Sequence, residues 1–316
     1  MDTIFVEDGA AEYPVSRRIF AALPKAQVVS IHHYKDVFDR NQDGRKPALI
    51  LAVKKDSFLY DGSQNCQAFG APMAYYALPA MGCPFDCQYC FLKGMYPTAN
   101  ILVFVNIDEC LTEIRKLAEN GPAQVSLSYE TDLIAIDHLT GFVSKFAALA
   151  PEVPDLTLEI RTKAANLPLV EWASNLVFSF TLSPQEIIGR FEKKTPNLSA
   201  RLSAVKAAQD AGFAVRLCFD PMILTPGWRK MYTEFFDRIR SEVDFLRVRD
   251  VSVGSFRIPK DYLKNMRKNY GETEISLFPY TLEKGTYTYG EAENELLQVA
   301  LDGLLPVFPR EKIYLD

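Results

Sequence analysis

Three cysteines fall within one ten-residue stretch, Met81-Gly82-Cys83-Pro84-Phe85-Asp86-Cys87-Gln88-Tyr89-Cys90, at C-x₃-C-x₂-C spacing. Cysteines three and four apart in a loop can turn toward one centre, yet they are poorly placed to bridge each other. Three thiolates cannot complete a tetrahedral structural zinc site. A cuboidal 4Fe-4S cluster takes one protein ligand per iron. Cys83, Cys87 and Cys90 would therefore hold three irons and leave the fourth open to a small molecule. An open iron lets a cluster bind a substrate or cofactor. A zinc knuckle, or three cysteines packed in a core, are the plainer alternatives.

The other residues of chemical interest carry weaker signals. Cys110 and Cys218 lie in apolar helix-like and strand-like sequence, where core packing is the natural role. Cys66 stands in polar sequence and takes no assignment. His138 falls inside a helical pattern, which favours a packed or hydrogen-bonded histidine over a catalytic one. His32 and His33 are adjacent and show no metal spacing.

The elements that must position these residues alternate along the chain. Residues 14–23 read as a helix, with strands at 27–31 and 48–53 and a surface turn at 41–44. From about residue 77 strands and helices alternate: strand 101–106, helix 107–119, strand 123–128, helix 132–150, strand 156–162, a short helix 169–173 and strand 176–182. Helix 197–211, stopped by Gly212, strand 214–219, helix 229–243 and a strand within 245–257 continue it. Residues 283–290 read as a turn entering a short strand, followed by a helix over 291–305. The pattern implies parallel strands with helices packed outside, in a barrel-like or a doubly wound arrangement. In both, functional groups gather at the carboxyl ends of the strands.

Composition narrows the class. The chain has 316 residues, 48% apolar and 24% charged, enough for a sizeable core. Its net charge is 35 − 40 = −5, which excludes a generic polybasic nucleic-acid binder but allows a local basic groove. No run of eighteen apolar residues occurs, so no membrane span is expected. The N-terminus carries acidic residues where a secretory signal needs a basic flank. The expected setting is a reducing cytoplasm, where thiols serve as ligands, catalysts or core residues.

The cysteine spacing, with Tyr89 directly before the third cysteine, resembles the radical S-adenosylmethionine enzymes. That resemblance implies a 4Fe-4S cluster and S-adenosyl-L-methionine as cofactors, with a 5′-deoxyadenosyl radical abstracting a hydrogen atom. Further stretches resemble the spore photoproduct lyase family. They are Ile4-Phe5-Val6-Glu7-Asp8 with Glu12-Tyr13-Pro14, Ala77-Leu78-Pro79, Gly82-Cys83-Pro84 and Cys87-Gln88-Tyr89-Cys90-Phe91-Leu92. Asp132 with Ile136-Asp137-His138-Leu139-Thr140, Arg161-Thr162-Lys163, Phe191-Glu192, residues 201–207 and Gly227-Trp228 follow in order. The similarity runs from residue 4 to about residue 260.

The resemblance implies a lyase that repairs ultraviolet-linked thymines in DNA, one of whose cysteines returns a hydrogen atom to the product radical. The matching region here is Ser128-Tyr129-Glu130-Thr131-Asp132, and the cysteine position holds Tyr129. The family tyrosine after the third cluster cysteine is Phe91 here. A phenol also donates a hydrogen atom, so Tyr129 is expected as the relay, with Tyr89 shielding the cluster. Lys163 matches a lysine that meets the carboxylate of the methionine part, and Ser183 falls near a cofactor-contacting serine. Thr131 and Asp132 would contact the cofactor or cap the next helix.

The expected fold is α/β, a partial (β/α)6 TIM-like barrel. The expected division is an N-terminal α/β extension over residues 1–76, the radical S-adenosylmethionine barrel over 77–260 and a C-terminal cap or substrate-binding segment over 261–316. DNA is the expected substrate, with an electron donor such as flavodoxin or ferredoxin and a monomeric state. Arg257, Lys260, Lys264, Arg267 and Lys268 are the candidate phosphate contacts. Lys193 with Lys194, and Lys284 with Tyr287 on a hairpin, are lesser candidates, and a solvated helix face is the plainer reading. A radical enzyme on the same scaffold acting on a different nucleotide or small molecule is the alternative. A non-enzymatic iron–sulfur protein that binds nucleic acid is a third.

Overall fold

The computed structural model describes residues 1–40, 46–62 and 67–315. The turn expected at 41–44 and Cys66 lie outside them. The chain folds as two compact units built from interleaved stretches. The first comprises Met1–Pro84, Leu92–Arg161 and Pro168–Leu176; the second comprises Phe85–Phe91, Thr162–Leu167 and Val177–Asp316.

The first unit contains a sheet of β1 (Thr3–Glu7), β2 (Gln27–Ile31), β3 (Leu49–Ala52), β6 (Ala80–Met81) and β7 (Ile101–Phe104), ordered β2-β1-β3-β7-β6. All pairs are parallel except β6 with β7. A second run is ordered β4 (Leu59–Asp61), β5 (Ala74–Ala77), β8 (Ala123–Ser126) and β9 (Leu156–Thr162). Here β5, β8 and β9 are parallel and β4 is antiparallel to β5. The segment Ile101–Phe104 carries the repeating strand-then-helix pattern in sequence, yet it pairs with β3. Both strands are buried along their whole length. Two-faced apolar strands read alike whichever neighbour they take, so periodicity does not choose the partner.

Two further departures have local causes. The single helix expected over 132–150 is two helices, Leu133–Thr140 and Phe142–Leu149, separated by Gly141 at φ 68°. A glycine in the left-handed region ends one helix and starts the next. Residues 169–173 are not helical. Leu169 and Trp172 are exposed, and one turn without a buried face lacks the packing that sustains a short helix. Among the described residues, no single helix is long and apolar enough to cross a membrane.

The second unit contains β10 (Leu176–Thr181), β11 (Ala214–Met222), β12 (Val248–Ser255) and β13 (Ile313–Leu315), adjacent in that order and all parallel. Helix Leu198–Asp210 enters β11, capped by Asn197 accepting from the Ala200 N–H at 2.9 Å. Arg216 on β11 and Asp250 on β12 form a buried ion pair, with Nη2 donating to Oδ2 at 3.0 Å. Beyond β12, helix Lys260–Tyr270 precedes a hairpin of Thr281–Glu283 and Thr286–Thr288, whose turn is Lys284-Gly285. Phe278, Tyr280 and Tyr289 cluster at the hairpin's base with ring centroids 4.9 to 5.4 Å apart.

Helix Ala292–Leu304 packs on helix Trp228–Glu242 through Gly303, where an added Cβ would lie 2.5 Å from the Phe236 Cβ. Helix propensity alone favours Gly303→Ala by about 0.5–1 kcal/mol. The collision reverses the sign. Gly303→Ala is expected to destabilise the protein by about 1–3 kcal/mol, read as a lowered urea midpoint with an unchanged slope.

Candidate active site

The cysteine loop is tied down on both flanks. Gly82 adopts φ 82°, and a Cβ there would strike the Asn100 carbonyl, so glycine is required beside Cys83. Asp86–Cys87 pairs antiparallel with Glu192–Lys193. The Gln88 N–H donates to the Phe191 carbonyl at 2.7 Å, and the Gln88 side-chain amide donates to the Arg190 carbonyl at 3.2 Å. The Cys90 N–H turns back to the Cys87 carbonyl at 3.3 Å. Cys87 is buried, while Cys83 and Cys90 are half-buried.

Beneath this loop lies a buried polar knot within the second unit. The Glu192 carboxylate accepts hydrogen bonds from the Tyr89 hydroxyl and the Arg201 guanidinium, and from Ser183 Oγ at 2.9 Å. Arg201 also donates to the Thr181 carbonyl at 3.1 Å and the Pro196 carbonyl at 3.0 Å. The Lys163 ammonium lies 5.5 Å from the centre of the Tyr89 ring. Sequence alone points to Glu192 only through the family resemblance and gives Arg201 no role. A carboxylate and an arginine nine residues apart, one on each side of Pro196, were the available signal.

The charges in this knot explain one another. Burial works against ionisation of Glu192, but Lys163 and Arg201 outweigh it and hold the carboxyl below its usual range. Burial likewise opposes the charge of Lys163, yet Cys87, in its thiolate form, and Glu192 outweigh it and hold the lysine above its usual range. Burial pushes the Cys87 thiol up to about 12, against the pull of Lys163. Cys87 thus keeps its proton until a metal displaces it. With the thiol neutral, two cations face one carboxylate; with it as a thiolate, the set balances. The knot is built to receive an anionic thiolate.

Among the described residues no three His, Cys, Asp or Glu side chains converge as they would on a single metal ion. Thiolates that ligate separate irons of a cluster need not meet at one point. The donor set, three soft thiols with the Lys163 cation in the field of Cys87 and Cys90, suits a 4Fe-4S cluster.

The remaining candidates are placed as follows. In the first unit, Tyr129 lies just beyond the carboxyl end of β8, its ring 4.8 Å from that of Tyr76. Asp132 caps helix Leu133–Thr140, accepting from the Ala135 N–H at 3.0 Å. Thr131 Oγ1 is buried with no hydrogen-bond partner, an orphaned hydroxyl that a polar ligand would complete. In the second unit, Lys260, Lys264 and Lys268 are exposed at i, i+4 and i+8 on helix Lys260–Tyr270, opposite buried Leu263 and Met266. Arg267 donates through Nε to the Ser276 carbonyl at 2.8 Å, and Arg257 is half-buried.

Removing one partner of a buried ion pair strands the other charge. Glu192→Ala should therefore cost about 3–5 kcal/mol in urea unfolding. Because the Glu192 pKa is depressed on folding, its stabilisation is present above the ordinary carboxylate range and is lost as pH falls through the lowered value. Glu192→Gln should flatten that acid limb of the stability profile; an unchanged limb would exclude the pairing.

The spore photoproduct lyase family model matches residues 1–294. The spore photoproduct lyase of Bacillus subtilis (strain 168) is 24% identical over 337 aligned residues, covering 98% of this chain and 96% of the relative. That of Geobacillus sp. (strain Y412MC61) is 23% identical over 295, covering 87% and 84%. A solved spore photoproduct lyase complexed with dinucleoside spore photoproduct superposes with a TM-score of 0.84 at 19% identity, over 99% of this chain and 97% of that one. A double mutant of spore photoproduct lyase with bound AdoMet and dinucleoside spore photoproduct gives 0.83 at 20% identity, with the same coverage. These likenesses identify the α/β fold as the partial barrel expected from the sequence. The chain belongs to the spore photoproduct lyase family, and so to the radical S-adenosylmethionine lyases that use a 4Fe-4S cluster and S-adenosyl-L-methionine.

Proposed function

We propose that this protein repairs spore photoproduct, the ultraviolet-linked thymine pair of DNA, as a monomer in a reducing cytoplasm. The observation that carries the reading is the three-thiol loop anchored on Glu192, in a chain that matches the lyase family along most of its length. When bound, the cluster and S-adenosyl-L-methionine supply a 5′-deoxyadenosyl radical through one-electron cleavage of the sulfonium, the electron coming from a flavodoxin- or ferredoxin-like donor.

The chain's own groups position and protect. Cys83, Cys87 and Cys90 hold the three irons. Tyr89, pinned by Glu192, covers the buried side of the loop and keeps water from it. Lys163 offers a cation to the carboxylate of the methionine part. Thr131 gives its orphaned hydroxyl to the cofactor, and Asp132 fixes the helix start that aims it. Ser183 acts through Glu192, to which it donates. Tyr129 gives the hydrogen atom that closes the product.

For DNA, Lys260, Lys264 and Lys268 form a phosphate-reading stripe on the helix that leads into residues 261–316, the cap or substrate-binding segment. Arg257 and Arg267 are further phosphate contacts beside the stripe, Arg267 also donating to the Ser276 carbonyl. A lesion within a duplex must leave the stack to reach a shielded radical, and phosphate contacts hold the strand while it does.

Anaerobic reconstituted protein, given reductant, S-adenosyl-L-methionine and dinucleoside spore photoproduct, should form 5′-deoxyadenosine and release the thymine dinucleotide. Cys87→Ala should abolish both. Deoxyadenosine without dinucleotide would assign the radical chemistry to another nucleotide or small molecule, the reading that Tyr129 at the cysteine position favours.

Replacing Lys260, Lys264 and Lys268 together by serine should weaken binding to lesion-bearing duplex and reduce the slope of log affinity against log salt by about 0.9 for each phosphate no longer neutralised. Turnover of the dinucleoside should stay unchanged, since it has few phosphates to grip. An unaltered salt slope would exclude the stripe as the site that grips phosphate.

A further inference from the structure

Three tyrosines of the first unit stand in a row. Tyr60 on β4 and Tyr76 on β5 are direct cross-strand partners. Their rings stack with centroids 5.4 Å apart and planes 19° apart. β5 pairs in parallel with β8, with Tyr76 opposite Ser126, three residues before Tyr129. That register brings Tyr129 onto the other side of Tyr76, at 4.8 Å and 36°. Lys54 closes the far end. Its Nζ donates to Tyr60 Oη at 3.0 Å and lies 4.8 Å from the centre of the Phe104 ring. Lys54 is 9% exposed.

A phenol can lose an electron and a proton and later regain both, and rings in contact let the electron pass. The two ends of the row differ. A buried ammonium bonded to the Tyr60 oxygen raises the cost of removing an electron from that ring, because charge is poorly screened there. Its field falls off with distance, and Tyr76 stands one ring further along the row and Tyr129 two. The row therefore favours an unpaired electron at its Tyr129–Tyr76 end.

We propose that Tyr76 is a radical partner of Tyr129 and that Lys54, through Tyr60, stops the radical from travelling further. The inference rests on the radical reading above and on Tyr129 as hydrogen donor. In the first step the Tyr129 O–H bond breaks and a C–H bond forms on the substrate carbon radical, leaving a Tyr129 phenoxyl. In the second, Tyr76 gives one electron and its hydroxyl proton, so Tyr129 regains its O–H and Tyr76 becomes the phenoxyl. One electron from the low-potential iron–sulfur or flavin protein that feeds the cluster, with one proton from water, restores Tyr76. The relay holds the oxidised side chain away from the finished product while it is reset.

The test is freeze-quench electron paramagnetic resonance of the reconstituted protein turning over dinucleoside spore photoproduct, with and without ring-deuterated tyrosine. The expected signal is a tyrosyl radical whose hyperfine pattern narrows on deuteration. Tyr76→Phe should change that pattern to one from Tyr129 alone and slow multiple turnover about tenfold, a barrier increase of about 1.4 kcal/mol. Lys54→Met should add a third component, absent in the Lys54→Met/Tyr60→Phe double variant. Tyr60→Phe alone keeps the stack and should leave the spectrum as in the parent, which makes it the control for packing damage. Deoxyadenosine formation with the same spectrum in parent and Tyr76→Phe overturns the relay while the radical reading stands. Absence of deoxyadenosine from the parent protein overturns both.

Discussion

The cysteine loop depends on one buried carboxylate. Glu192 receives Tyr89, Ser183 and Arg201 within hydrogen-bond reach and lies in the field of Lys163. An isolated carboxylate in such a place would give up its charge or unfold its surroundings. With these partners it does neither, but each partner is thereby committed. Arg201 lies in the first turn of helix Leu198–Asp210, Ser183 follows β10, and Tyr89 is inside the cysteine motif. Fixing one charge thus fixes a helix, a strand end and the loop together. Burying an ion pair is seldom the cheapest source of stability, and an apolar replacement often serves as well. The retained charges make sense if the loop must accept an anion, which an apolar floor would reject.

That same logic shows what sequence could reveal. The C-x₃-C-x₂-C spacing is local, so its chemistry is readable from ten residues. The knot beneath it joins residues 89, 163, 183, 192 and 201, and no spacing rule connects them. Strands Leu156–Thr162 and Leu176–Thr181 were legible because their apolar runs are bounded on both sides. The partner of Ile101–Phe104 was not, because burial on both faces erases the alternation that would reveal direction. The helix break at Gly141 was written in the sequence as a lone glycine, but a glycine within a helical pattern is tolerated often enough that the pattern outvoted it. Asp132 could be read either way from sequence, and the hydrogen bond to Ala135 shows that it caps. Its neighbour Thr131 has a buried hydroxyl that nothing satisfies, a distinction no sequence contains.

The tyrosine row makes the same point about long-range register. Tyr60, Tyr76 and Tyr129 are 16 and 53 residues apart in sequence, and only antiparallel pairing on one side of β5 and parallel pairing on the other bring them together. A one-residue slip in either register would turn Tyr76 to the opposite face. Tyr129, the proposed hydrogen donor, is therefore not an isolated phenol. It stands against a second phenol supplied by sheet register, and a third held by a lysine.

The acidic balance of the chain and a DNA substrate are compatible because the field that matters is local. At physiological ionic strength charges further apart than about 8 Å are largely screened. A phosphate at the helix Lys260–Tyr270 senses Lys260, Lys264 and Lys268 more strongly than it senses carboxylates scattered elsewhere. Four residues separate successive lysines, a rise of about 6 Å, so their fields overlap within the screening distance. Many acidic side chains are already engaged with arginines, among them Glu152 with Arg115, Glu274 with Arg190 and Glu295 with Arg229. Such pairs contribute little stability at the surface, but each presents a near-neutral patch to an approaching polyanion. An overall charge of −5 then discourages indiscriminate binding to undamaged DNA, while the proposed lysine stripe concentrates positive charge on one helix face.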